Sequence, residues 1–368
     1  MGALYREADE KYFAASNTNS GFKSYFDEIF DKEYIERIYI LKGGPGVGKS
    51  TFLRKTAKRA KELGFTPVFF YCSSDPDSLD GVIVKEKEFA VIDGTSPHVF
   101  EPRLAGAREI IINLGEAWDT EGLFKKKTEI EQHSKNKTCA YKDCYKLLGA
   151  KCDIDVCIQN LFSPYILNEK IQKSTSRLIC SLFKSKSPST SKTKVETRLA
   201  TAFSCKGKVR FDTFEKMADY CIFLKDLSCY DVIAYAYLKE LYKCAKNIGG
   251  NVFVSRSAQN PDLIDGLYFA DIKVSVTLFD DELVRACDLS QKRCKIINCK
   301  RFCNEKNCAS LRPLARFYKK LSSSLEEKAL ECLKKAGDEH FKLEKIYGDF
   351  TDYKKVEKIT DNAIKNMF

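Results

Sequence analysis

Eight consecutive residues, Gly43 to Ser50, read GGPGVGKS and match the pattern G-x-x-x-x-G-K-[S/T]. The chemistry needs glycines because backbone N–H groups must turn toward a phosphate, and a side chain at those positions would block the approach or forbid the dihedral angles. A lysine in this pattern reaches the phosphates, and the hydroxyl after it binds Mg²⁺. The sequence therefore predicts one site for ATP or GTP with Mg²⁺.

Each residue of the motif has an expected role. We predict that Lys49 contacts the β/γ-phosphate oxygens, that Ser50 binds Mg²⁺ through its hydroxyl, and that Thr51 lies near the phosphates. The predicted nucleotide-binding residues are Gly43, Gly44, Pro45, Gly46, Val47, Gly48, Lys49, Ser50 and Thr51.

The motif has the flanking elements that such a loop needs. Arg37 to Lys42 is a β-branched and aromatic run of the kind that forms a buried parallel strand. Thr51 to Leu63 has apolar residues at helical spacing, and Gly64 stands where a left-handed helix cap is expected. The helix would aim its N-terminus at the bound anion.

A carboxylate ends a later predicted strand, Phe89 to Asp93. Ligands of parallel α/β sheets bind at the carboxyl ends of the strands, so we predict that Asp93 holds the magnesium or its water shell, as a Walker B aspartate does. The alternative is an aspartate in an Asp-Gly turn with no ligand role.

More polar side chains follow the predicted strand Thr66 to Ser73. Asp75, directly after the strand, is a candidate for orienting the attacking water or a phosphate acceptor. Asp77 and Asp80 are better explained as residues of a turn or a helix cap. His98 could sense the γ-phosphate or simply pack in its loop.

The chain also contains an internal repeat. Pro76–Gly81 (PDSLDG) resembles Pro261–Gly266 (PDLIDG), and Ile40–Lys42 resembles Phe223–Lys225, at nearly the same shift along the chain. Small differences in the shift are what short loop insertions do to two copies of one fold.

The second copy lacks the glycine-rich loop. Asp226 to Val232 replaces it, and Val232 stands about where the first copy has Lys49. The position of Asp93 falls at Thr277 or Leu278 in the second copy. The second copy therefore lacks both the phosphate-binding lysine and the metal-binding carboxylate. Their joint loss predicts a structural or regulatory role for this copy.

These patterns predict an α/β fold of two tandem P-loop-like units with parallel sheets and helical hairpins. The first unit would span residues 1–183 with a hairpin over about 119–182, and the second residues 195–368 with C-terminal helices over about 311–368. Residues 184–194 (KSKSPSTSKTK) read as a Ser/Lys-rich linker.

Four segments carry a resemblance to a known family: GGPGVGKST at Gly43, YCSSDPDSLDGV at Tyr71, AVIDGTSPH at Ala90 and INLGEAWD at Ile112. Together they resemble an uncharacterised family of tandem P-loop ATPases in clostridia-type bacteria, over most of the chain. The resemblance implies two P-loop units with helical insertions, ATP binding, and hydrolysis or nucleotide kinase activity. The second copy departs from the pattern, since some family members have a P-loop there too.

Composition limits the class of protein. Hydrophobic residues make up 44% and charged residues 31%, which is typical of a folded globular chain. The N-terminus lacks a signal-peptide core and no stretch is apolar enough for a membrane helix, so we expect a cytoplasmic protein without a membrane anchor. The sixteen cysteines are then expected to be reduced thiols.

Other functions stay open at this point. A kinase would need lid arginines, for which Arg103 and Arg108 are the candidates, and a nucleotide-regulated scaffold would use the second copy to bind a protein partner. The basic run Lys125–Lys127 could follow a nucleic-acid backbone, although few aromatic residues accompany it. The cysteines between Cys287 and Cys308 could hold a metal, but none has the two-residue gap of common metal sites.

Overall fold

The computed structural model describes residues 9–184, 192–227, 229–289, 292–304 and 308–368. The strands are β1 Glu10–Phe13, β2 Ala15–Thr18, β3 Gly21–Ser24, β4 Arg37–Lys42, β5 Val68–Tyr71, β6 Leu79–Val84, β7 Phe89–Asp93, β8 Glu109–Asn113, β9 Lys194–Thr197, β10 Thr201–Ser204, β11 Gly207–Arg210, β12 Tyr220–Lys225, β13 Asn251–Arg256, β14 Ile264–Phe269, β15 Val274–Leu278 and β16 Arg293–Asn298. The α-helices are α1 Phe26–Phe30, α2 Lys49–Glu62, α3 Thr120–Lys125, α4 Lys127–Phe162, α5 Asn168–Leu182, α6 Thr213–Met217, α7 Val232–Ala245, α8 Asp281–Leu289, α9 Arg312–Asp349 and α10 Tyr353–Met367.

The first six-stranded sheet has the order β1-β5-β6-β7-β4-β8. β4, which leads into the glycine loop, lies between β7 and β8 and is parallel to both. β6 is antiparallel to β5 and to β7, so the predicted parallel sheet is in fact mixed, with parallel pairing among its other strands. The sequence did not predict β6, because its Asp-Gly pair is typical of a turn. All residues of β6 are buried, as expected for a strand that lies between two others.

The second sheet repeats this arrangement in the order β9-β13-β14-β15-β12-β16. Its elements follow one another along the chain as in the first sheet, as the internal repeat predicts. Strand register settles the counterpart of Asp93: Leu41 is paired with Asp93 in the first sheet, and Leu224 is paired with Leu278 in the second. The carboxylate that the sequence predicts to hold magnesium is thus replaced by a leucine in the second copy.

The compact units of the molecule are not the two halves of the chain. One unit, here called the first unit, contains Asp9–Lys146, Ala202–Val209 and Lys328–Phe368. The second unit contains Leu147–Thr201 and Arg210–Glu327. The predicted division into 1–183 and 195–368 therefore differs from the observed one. Of the predicted linker 184–194, residues 185–191 lie outside the described part of the chain.

The final helices of the two copies cause this difference. α10, from the end of the chain, packs in the first unit, where Val356 and Met367 join the core with Leu53 and Val91. α5, from the first half of the sequence, packs in the second unit, where Ile171 and Ile179 join its core. Each helix therefore covers the sheet of the other copy, although the helices themselves lie where the sequence predicts them.

No helix within the described ranges is both long enough and apolar enough to span a membrane.

Candidate functional site

The glycine loop joins the end of β4 to the start of α2 in the first unit. Gly46 and Gly48 have φ angles of 74° and 99°, a left-handed conformation that favours glycine. The N–H groups of Gly44 and of residues 46–49 have no hydrogen-bond acceptor among the residues that the structure describes. Together with the N-terminus of α2 they form a ready site for an anion.

The loop packs tightly against helices from the end of the chain. A side chain at Gly46 would collide with the backbone carbonyl of Glu344 on α9. The hydroxyl of Tyr353, at the start of α10, donates a hydrogen bond of 3.0 Å to the carbonyl of Gly46. A Cβ at Gly44 would lie 3.2 Å from the ring of Trp118 and 3.5 Å from the ring of Tyr347 on α9.

Lys49 lies along its own loop. Its Nζ donates hydrogen bonds of 2.7 and 2.8 Å to the carbonyls of Gly43 and Gly44, and it lies 3.6 Å from Oδ2 of Asp93. The side chains of Lys49 and Asp93 are 12% and 13% exposed. The structure thus brings the motif lysine and the aspartate at the end of β7 together.

The oxygen atoms expected to hold magnesium are Ser50 Oγ and the carboxylate of Asp93. Ser50 Oγ accepts a hydrogen bond of 3.1 Å from the N–H of Leu79, which orients the hydroxyl. Oδ1 of Asp93 accepts from the N–H and the hydroxyl of Thr95, which leaves Oδ2 on the side of Lys49. Hydroxyl and carboxylate oxygens are the donors that Mg²⁺ prefers, so these residues fit that ion.

Asp80 is not the turn or cap residue that the sequence suggests, because it lies inside β6 and is 4% exposed. Its Oδ2 lies 3.5 Å from Nε2 of His98, whose Nδ1 is 3.1 Å from the carbonyl of Asp93. The ring of His98 stacks on Phe26 at 4.6 Å. Burial by itself lowers the pKa of His98, but Asp80 and Asp93 outweigh it and raise that pKa to about 9.

Ligand atoms of Asp80, Asp93 and His98 lie within 4.8 Å of one another, close enough to share a metal ion. A protonated His98 between two carboxylates satisfies the same geometry. The second unit favours this explanation, since the counterpart Asp265 accepts a 2.7 Å hydrogen bond from Thr201 and faces the guanidinium of Arg210. Both units thus place a basic side chain near this aspartate, although Arg210 forms its ion pair with Glu215. Sensing of the γ-phosphate by His98 remains a prediction.

Asp75 and Asp77 form the turn that follows β5. Asp75 accepts hydrogen bonds from Ser78 Oγ at 2.7 Å and from the N–H of Asp77 at 3.3 Å. Asp77 pairs with Lys206. Asp75 also acts electrostatically on His340 and Glu344 of α9, which places it on the loop side of the unit. Its proposed catalytic role remains a prediction.

Three functional candidates were missed in the sequence: Lys137 on α4, and His340 and Glu344 on α9. The charge of Lys49 shifts the pKa of all three, which places them near that lysine. They lie far from the motif along the chain and on helices whose packing the sequence does not specify. A lysine within a mostly polar helix is ordinarily a solvent-exposed residue, so no sequence signal distinguished Lys137.

The two arginines considered for a kinase lid are held elsewhere in the first unit. Arg103 and Arg108 both pair with Asp31, which follows α1. Arg108 also donates hydrogen bonds to the backbone carbonyls of Ile35 and Lys32. Both arginines, the candidates for a kinase lid, are thus engaged in ion pairs with Asp31.

The sixteen cysteines are free thiols. The sulfur atoms of Cys303 and Cys308 lie 3.0 Å apart. Within the described ranges, however, the only grouping of three metal-ligating side chains is that of Asp80, Asp93 and His98. The segment from Cys287 to Cys308 thus shows no metal site in the described residues.

The second unit fills the equivalent of the glycine loop with its own carboxylate. Asp226 stands at the position of Gly43 and is 2% exposed. Its Oδ2 accepts from the N–H groups of Ile233 at 2.7 Å and Ala234 at 3.4 Å, and its Oδ1 from that of Cys229 at 3.3 Å. The N-terminus of α7 therefore already binds an anion supplied by the chain.

Comparison of the chain with protein-family models, with curated proteins and with solved structures gave no match.

Proposed function

We propose that the first unit binds MgATP or MgGTP at residues 43–51 and hydrolyses it, while the second unit has a structural or regulatory role. The observation that carries the proposal is the contrast between Gly43 and Asp226. At the same point of two copies of one fold, the second copy supplies a carboxylate to the helix N-terminus, whereas the first has a glycine and N–H groups without an internal acceptor. The first site is suited to an anion from outside the chain.

The side chains around the loop support a triphosphate rather than a smaller anion. Lys49 would exchange its bonds to the carbonyls of Gly43 and Gly44 for bonds to phosphate oxygens. Ser50 and Asp93 would hold magnesium, which neutralises the phosphate charge in such sites. Hydrolysis is favoured over phosphoryl transfer to a small acceptor because Arg103 and Arg108 are engaged with Asp31.

The test is calorimetric titration of MgATP, and separately MgGTP, into the wild type and a Lys49→Ala variant, followed by measurement of phosphate release. Loss of a charged hydrogen bond to phosphate is worth about 1.5–3 kcal/mol, so we expect affinity to fall by at least about tenfold. Wild-type stoichiometry should be one nucleotide per chain, because the second loop binds its own carboxylate.

Lys58→Ala is the matched control, since Lys58 lies on the same helix with its side chain 79% exposed. Its affinity should equal that of the wild type. Absence of binding by the wild type, binding of two nucleotides, or full affinity in Lys49→Ala would each overturn the proposal. Binding without phosphate release would instead favour a nucleotide-regulated scaffold.

A further inference from the structure

In the first unit, residues 127–146 of α4 and residues 328–349 of α9 are fastened together close to the glycine loop. Nδ1 of His133 lies 2.7 Å from Oε2 of Glu339, and Asn136 Nδ2 donates to the same oxygen at 3.1 Å. The next residues on each helix are Lys137 and His340, and the charge of Lys137 lowers the pKa of His340. Glu344, one turn beyond His340, is the residue whose backbone touches Gly46.

Lys137 is a cation in an environment that offers it little compensation. It forms no hydrogen bond or ion pair with any described residue. Burial lowers its pKa, and the nearby charge of Lys49 lowers it further, against the opposing effect of Glu344. A half-buried lysine beside a second lysine is unfavourable unless an anion joins them.

Burial and nearby charges also shift the pKa values of His340 and Glu344 toward their uncharged forms. Burial lowers the pKa of His340 to about 4, and the charges of Lys137 and Lys49 add to this effect. Burial also raises the pKa of Glu344, helped by the carboxylate of Asp75. Nε2 of His340 lies 3.6 Å from Oε1 of Glu344. The site thus contains two lysine ammonium groups, the carboxyl group of Glu344 and an uncharged imidazole beside the loop.

A second lysine of α4 shows what a structural lysine looks like on this helix. Lys151, in the second unit, has a side chain that is 3% exposed and pairs with Asp155 at 2.6 Å and Glu326 at 3.4 Å. It also donates to Gln259 at 2.7 Å. The ammonium group of Lys151 thus has ion-pair and hydrogen-bond partners within the chain. Lys137 has none among the described residues.

We propose that Lys137 is a second phosphate-binding lysine, supplied by α4 to the glycine-loop site and directed at the terminal phosphate of the nucleotide. The inference rests on the proposed function. The N–H groups of the loop enclose the inner phosphates in such sites, so a cation from outside the loop reaches the terminal one. Lys137 and Lys49 would then hold the γ-phosphate from two elements.

The test compares binding of MgATP and MgADP by the wild type, Lys137→Gln, Lys137→Arg and the control Lys135→Gln. Lys135 is exposed on the same helix. A charge-assisted bond to phosphate predicts that Lys137→Gln weakens MgATP binding by about 10- to 100-fold and leaves MgADP binding nearly unchanged. Lys137→Arg keeps the positive charge and should therefore retain part of the difference in affinity between MgATP and MgADP.

Two further measurements distinguish this role from a structural one. Lys137→Gln should unfold at the same temperature as the wild type or higher, because it removes an unpaired charge; a lower melting temperature would indicate a structural lysine. MgATP should also raise the pKa of His340, followed by NMR of the three histidines. A bound anion would offset the charges of Lys137 and Lys49, which lower this pKa, and would add to the charge of Asp75, which raises it. Glu344, 3.6 Å from the ring, is the other titratable group that faces it.

Lys49→Ala is titrated in parallel so that the two proposals can fail separately. If Lys49→Ala loses MgATP and Lys137→Gln does not, the glycine-loop site stands and the role of Lys137 is overturned. If Lys137→Gln weakens MgATP and MgADP equally, the contact with the terminal phosphate is overturned. If the wild type binds neither nucleotide, the proposed function itself fails.

Discussion

Gly43 and Asp226 occupy the same position in the two copies, and the choice between them decides what each loop can bind. The carboxylate of Asp226 accepts three N–H groups at or before the N-terminus of α7. Burial raises its pKa, and the three hydrogen bonds oppose that effect. A side chain that satisfies the helix N-terminus in this way stabilises the fold and at the same time excludes a phosphate.

Replacement of Asp226 by Ala should therefore destabilise the second unit without weakening nucleotide binding. We expect a loss of about 1–3 kcal/mol in the free energy of unfolding, since three buried N–H groups lose their acceptor. Urea denaturation measures the loss, and Asp262→Ala, at an exposed position, is the control. Unchanged stability would mean that the carboxylate has no capping role.

At the scale of elements, the glycine loop is held between its own strand and helix and the start of the C-terminal helices. Gly46 needs to be glycine for two reasons, its left-handed backbone and the close approach of Glu344. Gly64, after α2, has a similar φ angle of 85° but open space around the position of a Cβ. A comparison of the two glycines therefore distinguishes the cost of the left-handed backbone from the cost of the contact with α9.

We predict that Gly46→Ala costs clearly more stability than Gly64→Ala. The left-handed backbone alone costs about 1 kcal/mol for a residue other than glycine, and this applies to both variants. The collision with α9 adds to Gly46→Ala only, and movement of the loop should also reduce MgATP affinity. Equal unfolding free energies for the two variants would contradict the close packing of α9 on the loop.

At the scale of the whole molecule, the exchange of α5 and α10 makes each unit depend on both halves of the sequence. The first unit takes its last helix from the end of the chain, and the second takes one from residues 168–182. The glycine loop is part of this arrangement, because Tyr353 and Glu344 reach it from the C-terminal helices. Neither half of the sequence contains a complete unit.

This exchange predicts which substitutions affect the first unit. Val356→Ala, in α10, should lower the urea midpoint reported by the fluorescence of Trp118, the single tryptophan, which packs against the same core. Loss of the buried methyl groups costs about 1–3 kcal/mol. Ile179→Ala in α5 removes core volume from the second unit and should shift the Trp118 signal less.

The reverse order of the two shifts would contradict the exchange, because α5 would then support the first unit as the linear division of the chain predicts. The circular dichroism of each variant, followed over the same urea range, shows whether the second unit unfolds at its own midpoint.

The sequence by itself determined the local features of the protein. The strand over Arg37–Lys42, the glycine loop and the helix after it are predicted correctly, because the apolar run, the glycines and the helical spacing act over a few residues. The repeat and the loss of the second glycine loop are likewise visible, since both copies keep recognisable residues at a nearly constant shift.

Only the tertiary structure decided which sheet each final helix covers, where Asp80 lies and what surrounds Lys49. An amphipathic helix carries an apolar stripe that fits either of two similar sheets, so its pattern does not choose between them. Asp80 follows residues that are typical of a turn, yet it lies within β6, because the packing of this buried strand outweighs local preference. Glu344 reaches the loop through helix packing, and contacts of that kind leave no mark in the local sequence.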